Sequence, residues 1–93
     1  MAESYVTLDV KNAVGTITFY TPHHNALPTE ILKKLEHTIT EAGARSDLRV
    51  LVIKSGGDRT FCAGASFNEL IAIENETQGK DFFMGFARVI LAM

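Results

Sequence analysis

The sequence lacks most of the features that mark secreted, membrane-spanning or metal-binding proteins. Cys62 is the only cysteine, so an intramolecular disulfide is impossible and a structural zinc site is not expected. The longest purely aliphatic run, residues 50–53, is far too short to span a bilayer. The first five residues contain neither a basic nor an apolar region and do not resemble a secretory signal. We therefore expect a protein of the reducing cytoplasm.

The chain also lacks a strong excess of charge of either sign. Its formal net charge is −2, so the composition predicts neither a nucleic-acid-binding surface nor attraction to an acidic membrane. Hydrophobic residues make up 46% of the 93 residues and charged residues 22%, as in an ordinary globular domain. A chain of this length buries only about 60–65% of its unfolded surface, which leaves a thin margin of stability.

Hydrophobic periodicity predicts a hairpin followed by a helix in the first half of the chain. Apolar and polar residues alternate over 5–10 and 14–20, as in two half-buried strands joined by a tight turn. A helix is expected to begin near Pro28, which suits the first helical position, and to stop before Gly43. Its predicted apolar face consists of Ile31, Leu32, Leu35, Ile39 and Ala42.

The second half predicts a buried strand and two helices. Residues 50–53 are apolar at every position, which favours a strand covered on both faces, as in a parallel sheet. A short helix is expected from Phe67 to about Glu74, with residues 75–79 breaking it. The last segment predicts an amphipathic helix, whose apolar residues are Phe82, Phe83, Phe86, Val89, Ile90 and Met93. This helix reaches Met93 without a stop signal, so we expect the chain to be truncated at its C-terminus.

The stretch FCAGASF at residues 61–67 is the most informative for function. Gly64 has no Cβ, so the backbone can turn sharply there and a ligand can approach closely. Ser66 followed by Glu69 predicts a capping box at the start of a helix. The backbone N–H groups around Ala65 would then lie at the positive end of that helix, a place for an oxygen that becomes negative during a reaction. An ordinary strand-to-helix turn with a glycine gives the same pattern.

Other chemistries fit these residues less well. A hydrolase elbow, G-x-S-x-G, needs a glycine where Asn68 stands, and all the histidines precede Ser66, so an N-cap role is preferred for this serine. His23 and His24 could contact a phosphate, but no third ligand stands nearby for a metal. Cys62 lies between apolar residues and is expected to be a small buried hydrophobe.

In combination, these motifs resemble the N-terminal part of the enoyl-CoA hydratase/isomerase (crotonase) superfamily. The family pattern reads roughly N-A-L, then a helix, then F-C-A-G-x-D, and this chain has N-A-L at 25–27 and F-C-A-G-A at 61–65. Ser66 stands where the family usually has Asp, and Pro28 stands where Ser is common. Family members are more than twice as long as this chain.

The resemblance implies an α/β fold, the crotonase-like ββα spiral, of which residues 1–93 are the N-terminal part of a single domain. It also implies an acyl-CoA thioester-binding enzyme of fatty acid metabolism, an enoyl-CoA hydratase (a lyase) or isomerase. The parent reaction is syn addition of water to a 2-enoyl-CoA, with the acyl-CoA as substrate and no metal or redox cofactor.

By the same resemblance, the Ala65 N–H is one of two donors of an oxyanion hole that stabilises an enolate. Ala26 and Gly64 would contact the substrate, and the backbone of Ala63 would lie near the adenine of CoA. The loop that holds His23 and His24 would run near the CoA phosphates.

The second oxyanion donor and the catalytic glutamates of the hydratases come later in the family's sequences. The fragment alone is therefore expected to be inactive, and a non-catalytic module that binds CoA or a partner is the alternative. Carboxylates beyond Met93 would separate the two hypotheses. Full-length members of the family are typically trimers or hexamers. For the fragment we expect a dimer formed through the C-terminal helix.

Overall fold

The computed structural model describes residues 4–22, 24–57 and 60–93, and only the backbone of Phe67. Its elements follow the order predicted from the sequence, which confirms an α/β arrangement. In chain order they are β1 (Tyr5–Lys11), β2 (Val14–Tyr20), α1 (Thr29–Gly43), β3 (Val50–Ser55), α2 (Phe67–Ile71) and α3 (Glu76–Ala92).

The strands form one mixed sheet in the order β1-β2-β3. β1 and β2 pair antiparallel as the predicted hairpin, and Asn12 and Ala13 make the turn with φ angles of 53° and 67°. β2 and β3 pair in parallel, from Val14 opposite Val50 to Phe19 opposite Ser55. A parallel pair needs a long crossover connection, which α1 provides.

One face of this sheet packs against α1 and forms the core. Ile17 and Phe19 project from β2 into this core, and the predicted apolar face of α1 is buried in full. α3 packs on α1 with Phe82 and Val89 buried. A Cβ at Gly85 would lie 3.1 Å from Leu32, so the two helices approach closely because this residue of α3 has no side chain.

The opposite face of the sheet is open among the described residues. Val50 is 53% exposed and Val52 is 40% exposed, so the expectation that β3 is covered on both faces is wrong for this part of the chain. α1 covers only one face of the sheet, and the residues of β3 alternate between half-buried and exposed positions.

Four helix boundaries also differ from the predictions. Pro28 is the N-cap of α1 rather than its first helical residue, and α1 includes Gly43. α2 is shorter than expected and ends at Ile71. The segment expected to break it instead begins α3, because the side chain of Asn75 accepts a hydrogen bond from the Gln78 N–H at 2.9 Å and caps a new helix. None of the described helices has the length and apolarity needed to cross a membrane.

Candidate functional site

The turn between β3 and α2 contains Gly64 in a conformation that favours glycine. Its φ angle is 92°, in the left-handed region, as the sharp turn predicted for this position requires. A Cβ on Gly64 would meet no atom within 4 Å, so backbone strain rather than crowding selects glycine. The Gly64 N–H donates to the sulfur of Cys62 at 3.3 Å. Cys62 is half-buried against the core, close to the role predicted for it.

This turn meets the segment that precedes α1. The Leu27 N–H donates to the carbonyl oxygen of Gly64 at 2.7 Å, and Leu27 pairs with Ala65 in an isolated parallel bridge. The motifs N-A-L and F-C-A-G-A, far apart in the sequence, therefore lie side by side.

A cleft of about 590 Å³ opens at this junction, within the size range of small-molecule sites. Three residues predicted to bind substrate line it, namely Ala26, Ala63 and Ala65. Gly64 lies between the last two in the chain but does not line the cleft. The remaining described residues of the lining are Ser4, Thr21, Pro22, Pro28, Ser66 and Asn68.

Ala65 lines this cleft, and its backbone N–H makes no hydrogen bond to the residues that the structure describes. Its neighbour Gly64, in contrast, donates to Cys62. Backbone N–H groups without a protein partner need water or a ligand. The adjacent helix α2 has only five residues, so its aligned dipoles add less than a long helix would. An anion bound at this turn would therefore depend mainly on the Ala65 N–H itself.

His24 does not line the same cleft as the three alanines. His24 is exposed, has a φ angle of 55°, and lines a smaller neighbouring cavity of about 140 Å³. That cavity shares Thr21 and Pro22 with the larger cleft, so the two lie next to each other. His23, the other predicted phosphate contact, lies outside the described residues.

Asn25 holds the loops around the cleft together, a role that the sequence did not reveal beyond its suitability for a turn. It is 3% exposed and has a φ angle of 61°, which asparagine tolerates better than most residues. Its Oδ1 accepts from the Thr21 N–H at 3.0 Å. Its Nδ2 donates to the carbonyl oxygens of Gly56 at 3.0 Å and Thr60 at 2.6 Å. The one feature of the sequence that could have indicated this role is the position of Asn25 at the start of the N-A-L motif.

Ser66 and Glu69 only partly form the predicted capping box. Ser66 is the N-cap of α2, and its side-chain oxygen accepts from the Glu69 N–H at 3.5 Å. The Glu69 carboxylate, however, accepts from the Thr29 N–H at 2.8 Å and from the Thr29 hydroxyl at 2.5 Å. It therefore caps α1, whose own N-cap, Pro28, has no side-chain acceptor to offer.

The chemistry of proton transfer is missing from the described lining of the cleft, where no residue has a titratable side chain. A different cleft of about 550 Å³ lies between the helices, and its charged lining includes Lys33, Glu36, Asp81 and Arg88.

The two resolved pKa shifts belong to residues that line neither of these clefts. A surface hydrogen bond between Arg45 and Asp47 raises the pKa of the guanidinium and lowers the pKa of the carboxyl. Among the residues described, no cluster of three metal-ligating side chains occurs.

Comparison with known proteins identifies the family to which the two motifs at the cleft belong. The sequence model of the enoyl-CoA hydratase/isomerase family matches residues 9–89, which include both motifs at the cleft. The chain belongs to this family. The resemblance in the N-A-L and F-C-A-G-A motifs is thereby confirmed.

Individual relatives agree with this assignment. The chain is 33% identical over 73 residues to YngF of Bacillus subtilis (strain 168), assigned as an enoyl-CoA hydratase/isomerase, and covers 28% of it. It is 28% identical over 78 residues to the short-chain-enoyl-CoA hydratase of Clostridium acetobutylicum, of which it covers 30%. The matches include 76% and 83% of this chain. The chain thus spans less than a third of the length of these two relatives.

The fold agrees as well. A solved enoyl-CoA hydratase from Mycobacterium smegmatis superimposes with a TM-score of 0.83 at 26% identity, over 94% of this chain and 34% of that one. The predicted crotonase-type α/β fold is therefore confirmed for the part of the domain described in this structure.

Proposed function

We propose that this chain supplies the acyl-CoA-binding part of an enoyl-CoA hydratase/isomerase, with the Ala65 N–H donating to the thioester carbonyl oxygen. The observation that carries the proposal is the N–H of Ala65, which has no acceptor among the described residues and belongs to a residue that lines a cleft. Membership of the family supports an acyl-CoA thioester as the ligand.

The chemistry that follows is stabilisation of an enolate. A thioester carbonyl oxygen gains negative charge when water adds to the double bond of a 2-enoyl-CoA, and a fixed N–H donor stabilises that charge. Losing one such donor typically costs about 10²–10³ in rate. The second donor and the carboxylates that move protons would come from other residues of the complete protein. The reaction as proposed needs no metal or redox cofactor.

The rest of the CoA would lie along the neighbouring surface. We place the adenine near the backbone of Ala63 and the phosphates near the loop that holds His23 and His24. The His24 cavity lies next to the main cleft and shares two lining residues with it, which supports this course for the ligand.

A second candidate function is a module that binds CoA without catalysis. It is favoured by the lack of titratable side chains among the described residues that line the cleft, because hydration needs a group that moves protons. The two functions share the Ala65 contact and differ only in what the complete protein adds to it.

An NMR titration tests the shared contact. Acetyl-CoA and its S-ethyl thioether analogue differ only at the carbonyl oxygen, so the analogue is a matched control. We expect the Ala65 amide resonance to move with the thioester and to stay nearly still with the thioether. Changes confined to α1, with Ala65 silent for both ligands, would contradict the proposal.

A further inference from the structure

We propose that Glu69 is a positioning residue for the Ala65 N–H donor and that it acts through Thr29. This inference rests on the proposed function. Glu69 lies four residues after Ala65 and is outside the described lining of the Ala65 cleft, facing the cleft between the helices instead. Glu69 therefore does not contact the thioester, and it affects thioester binding only through the backbone that it positions.

Two ties join the segment around Ala65 to the start of α1. The first is the bond from the Leu27 N–H to the Gly64 carbonyl oxygen at 2.7 Å. The second is the hydrogen bonding of the Thr29 N–H to the Glu69 carboxylate, with N···O distances of 3.2 Å to Oε1 and 2.8 Å to Oε2. In one segment Ala65 lies between Gly64 and Glu69, the two residues that make the ties. In the other segment Pro28, which also lines the cleft, lies between Leu27 and Thr29.

The second tie is needed because the elements on the Ala65 side are weak by themselves. α2 has only five residues, fewer than a helix needs to be stable alone. The turn before it depends on a glycine with a φ angle of 92°. α1, in contrast, has 15 residues and buries a full apolar face in the core. Fixing α2 to the N-terminus of α1 transfers that rigidity to the donor.

The chemistry of the tie suits this role. A carboxylate at the N-terminus of a helix interacts favourably with the helix dipole, and hydrogen bonds to a charged acceptor are stronger than neutral ones. A donor to a developing oxyanion must be held to within about 0.5 Å of its productive position. Removing the carboxylate would therefore loosen the donor without removing any group that touches the ligand.

The test compares four variants of this chain: Glu69→Ala, Glu69→Gln, Thr29→Val and Glu74→Ala. Glu74→Ala is the matched control, since Glu74 is exposed and its loss changes the charge equally. Each variant is titrated with acetyl-CoA and with the S-ethyl thioether. The Ala65 amide is also followed by NMR without ligand.

For Glu69→Ala we expect about fivefold weaker binding of the thioester, the effect of one hydrogen bond, with the thioether unchanged. The Ala65 amide should shift even without ligand. Glu69→Gln should recover part of the loss, since one oxygen still accepts from the Thr29 N–H. Thr29→Val removes only the hydroxyl bond and should lie between wild type and Glu69→Ala, which keeps the test usable if Glu69→Ala does not fold.

Three results would overturn the inference. The first is a Glu69→Ala variant with wild-type binding and an unmoved Ala65 amide, which leaves the proposed function intact. The second is an equal loss for thioester and thioether, which means a general structural role. The third is a wild-type chain that binds thioester and thioether equally, together with variants whose Ala65 amide does not move without ligand. Equal binding of the two ligands by wild type would also contradict the proposed function.

Discussion

The side-chain amide of Asn25 donates to the carbonyl oxygen of Thr60 at 2.6 Å, across 35 positions of the sequence. The same side chain accepts from the Thr21 N–H and donates to Gly56, so a single buried residue joins three backbone segments. The turn that carries Ala65 begins immediately after Thr60. The position of Ala65 therefore depends on a residue that belongs to the other motif.

Asn25→Ala should destabilise the chain by about 2–4 kcal/mol, because it removes one buried and two half-buried hydrogen bonds to the backbone. Asn12→Ala is the matched control, since Asn12 also has a left-handed φ, of 53°, but lies in an exposed hairpin turn. Chemical denaturation of both variants separates the hydrogen bonds from the backbone strain. Equal losses in the two would show that the Asn25 bonds contribute little.

Gly64→Ala should destabilise the chain by about 1–2 kcal/mol, the cost of a left-handed conformation for a residue with a Cβ. Gly43→Ala, at the end of α1, also places a methyl group in open space but without a left-handed φ. It should stabilise the helix by up to about 1 kcal/mol. Thermal unfolding measures both. A Gly64→Ala variant as stable as wild type would mean that the turn can relax without strain.

The isolated chain should self-associate through α3, as expected from the sequence, but through a narrower surface. Phe82 and Val89 are buried within the chain, whereas Phe83 and Ile90, seven residues apart on one face, are 56% and 67% exposed. Each could contribute about 1.5–3 kcal/mol if fully buried by a second copy. A dimer is therefore expected.

Sedimentation at low micromolar concentration tests this prediction. The double change Phe83→Ser and Ile90→Ser should give a monomer, while Leu70→Ser, an exposed apolar residue of α2, should leave the dimer unchanged. A wild-type chain that sediments as a clean monomer would refute self-association.

The isolated chain should not hydrate crotonyl-CoA. One oxyanion donor without a group that moves protons cannot complete the reaction. A spectrophotometric assay, with the short-chain-enoyl-CoA hydratase of Clostridium acetobutylicum as the positive control, measures this directly. Hydration above background by this chain would require a proton-transfer group in or near the cleft.

Local patterns in the sequence predicted the elements well because strands, helices and turns depend on neighbouring residues. The alternation over 5–10 and 14–20 located the hairpin, and the spacing of the apolar residues of α1 identified its buried face. The partner of Glu69 could not be predicted in this way, since Thr29 lies 40 positions away. The capping-box pattern even indicated a nearer partner, Ser66, because it describes a single helix in isolation.

The hydrogen bonds across the cleft have a consequence for how the chain folds. The hairpin closes over the short turn at residues 12–13, whereas the bonds from Asn25 and Glu69 close loops of 35 and 40 residues. Closing longer loops costs more chain entropy and slows folding. The proposed donor at Ala65 is therefore placed late, after the hairpin and α1 have formed. Its amide should exchange with solvent through local openings that leave Ile17 and Leu32 protected.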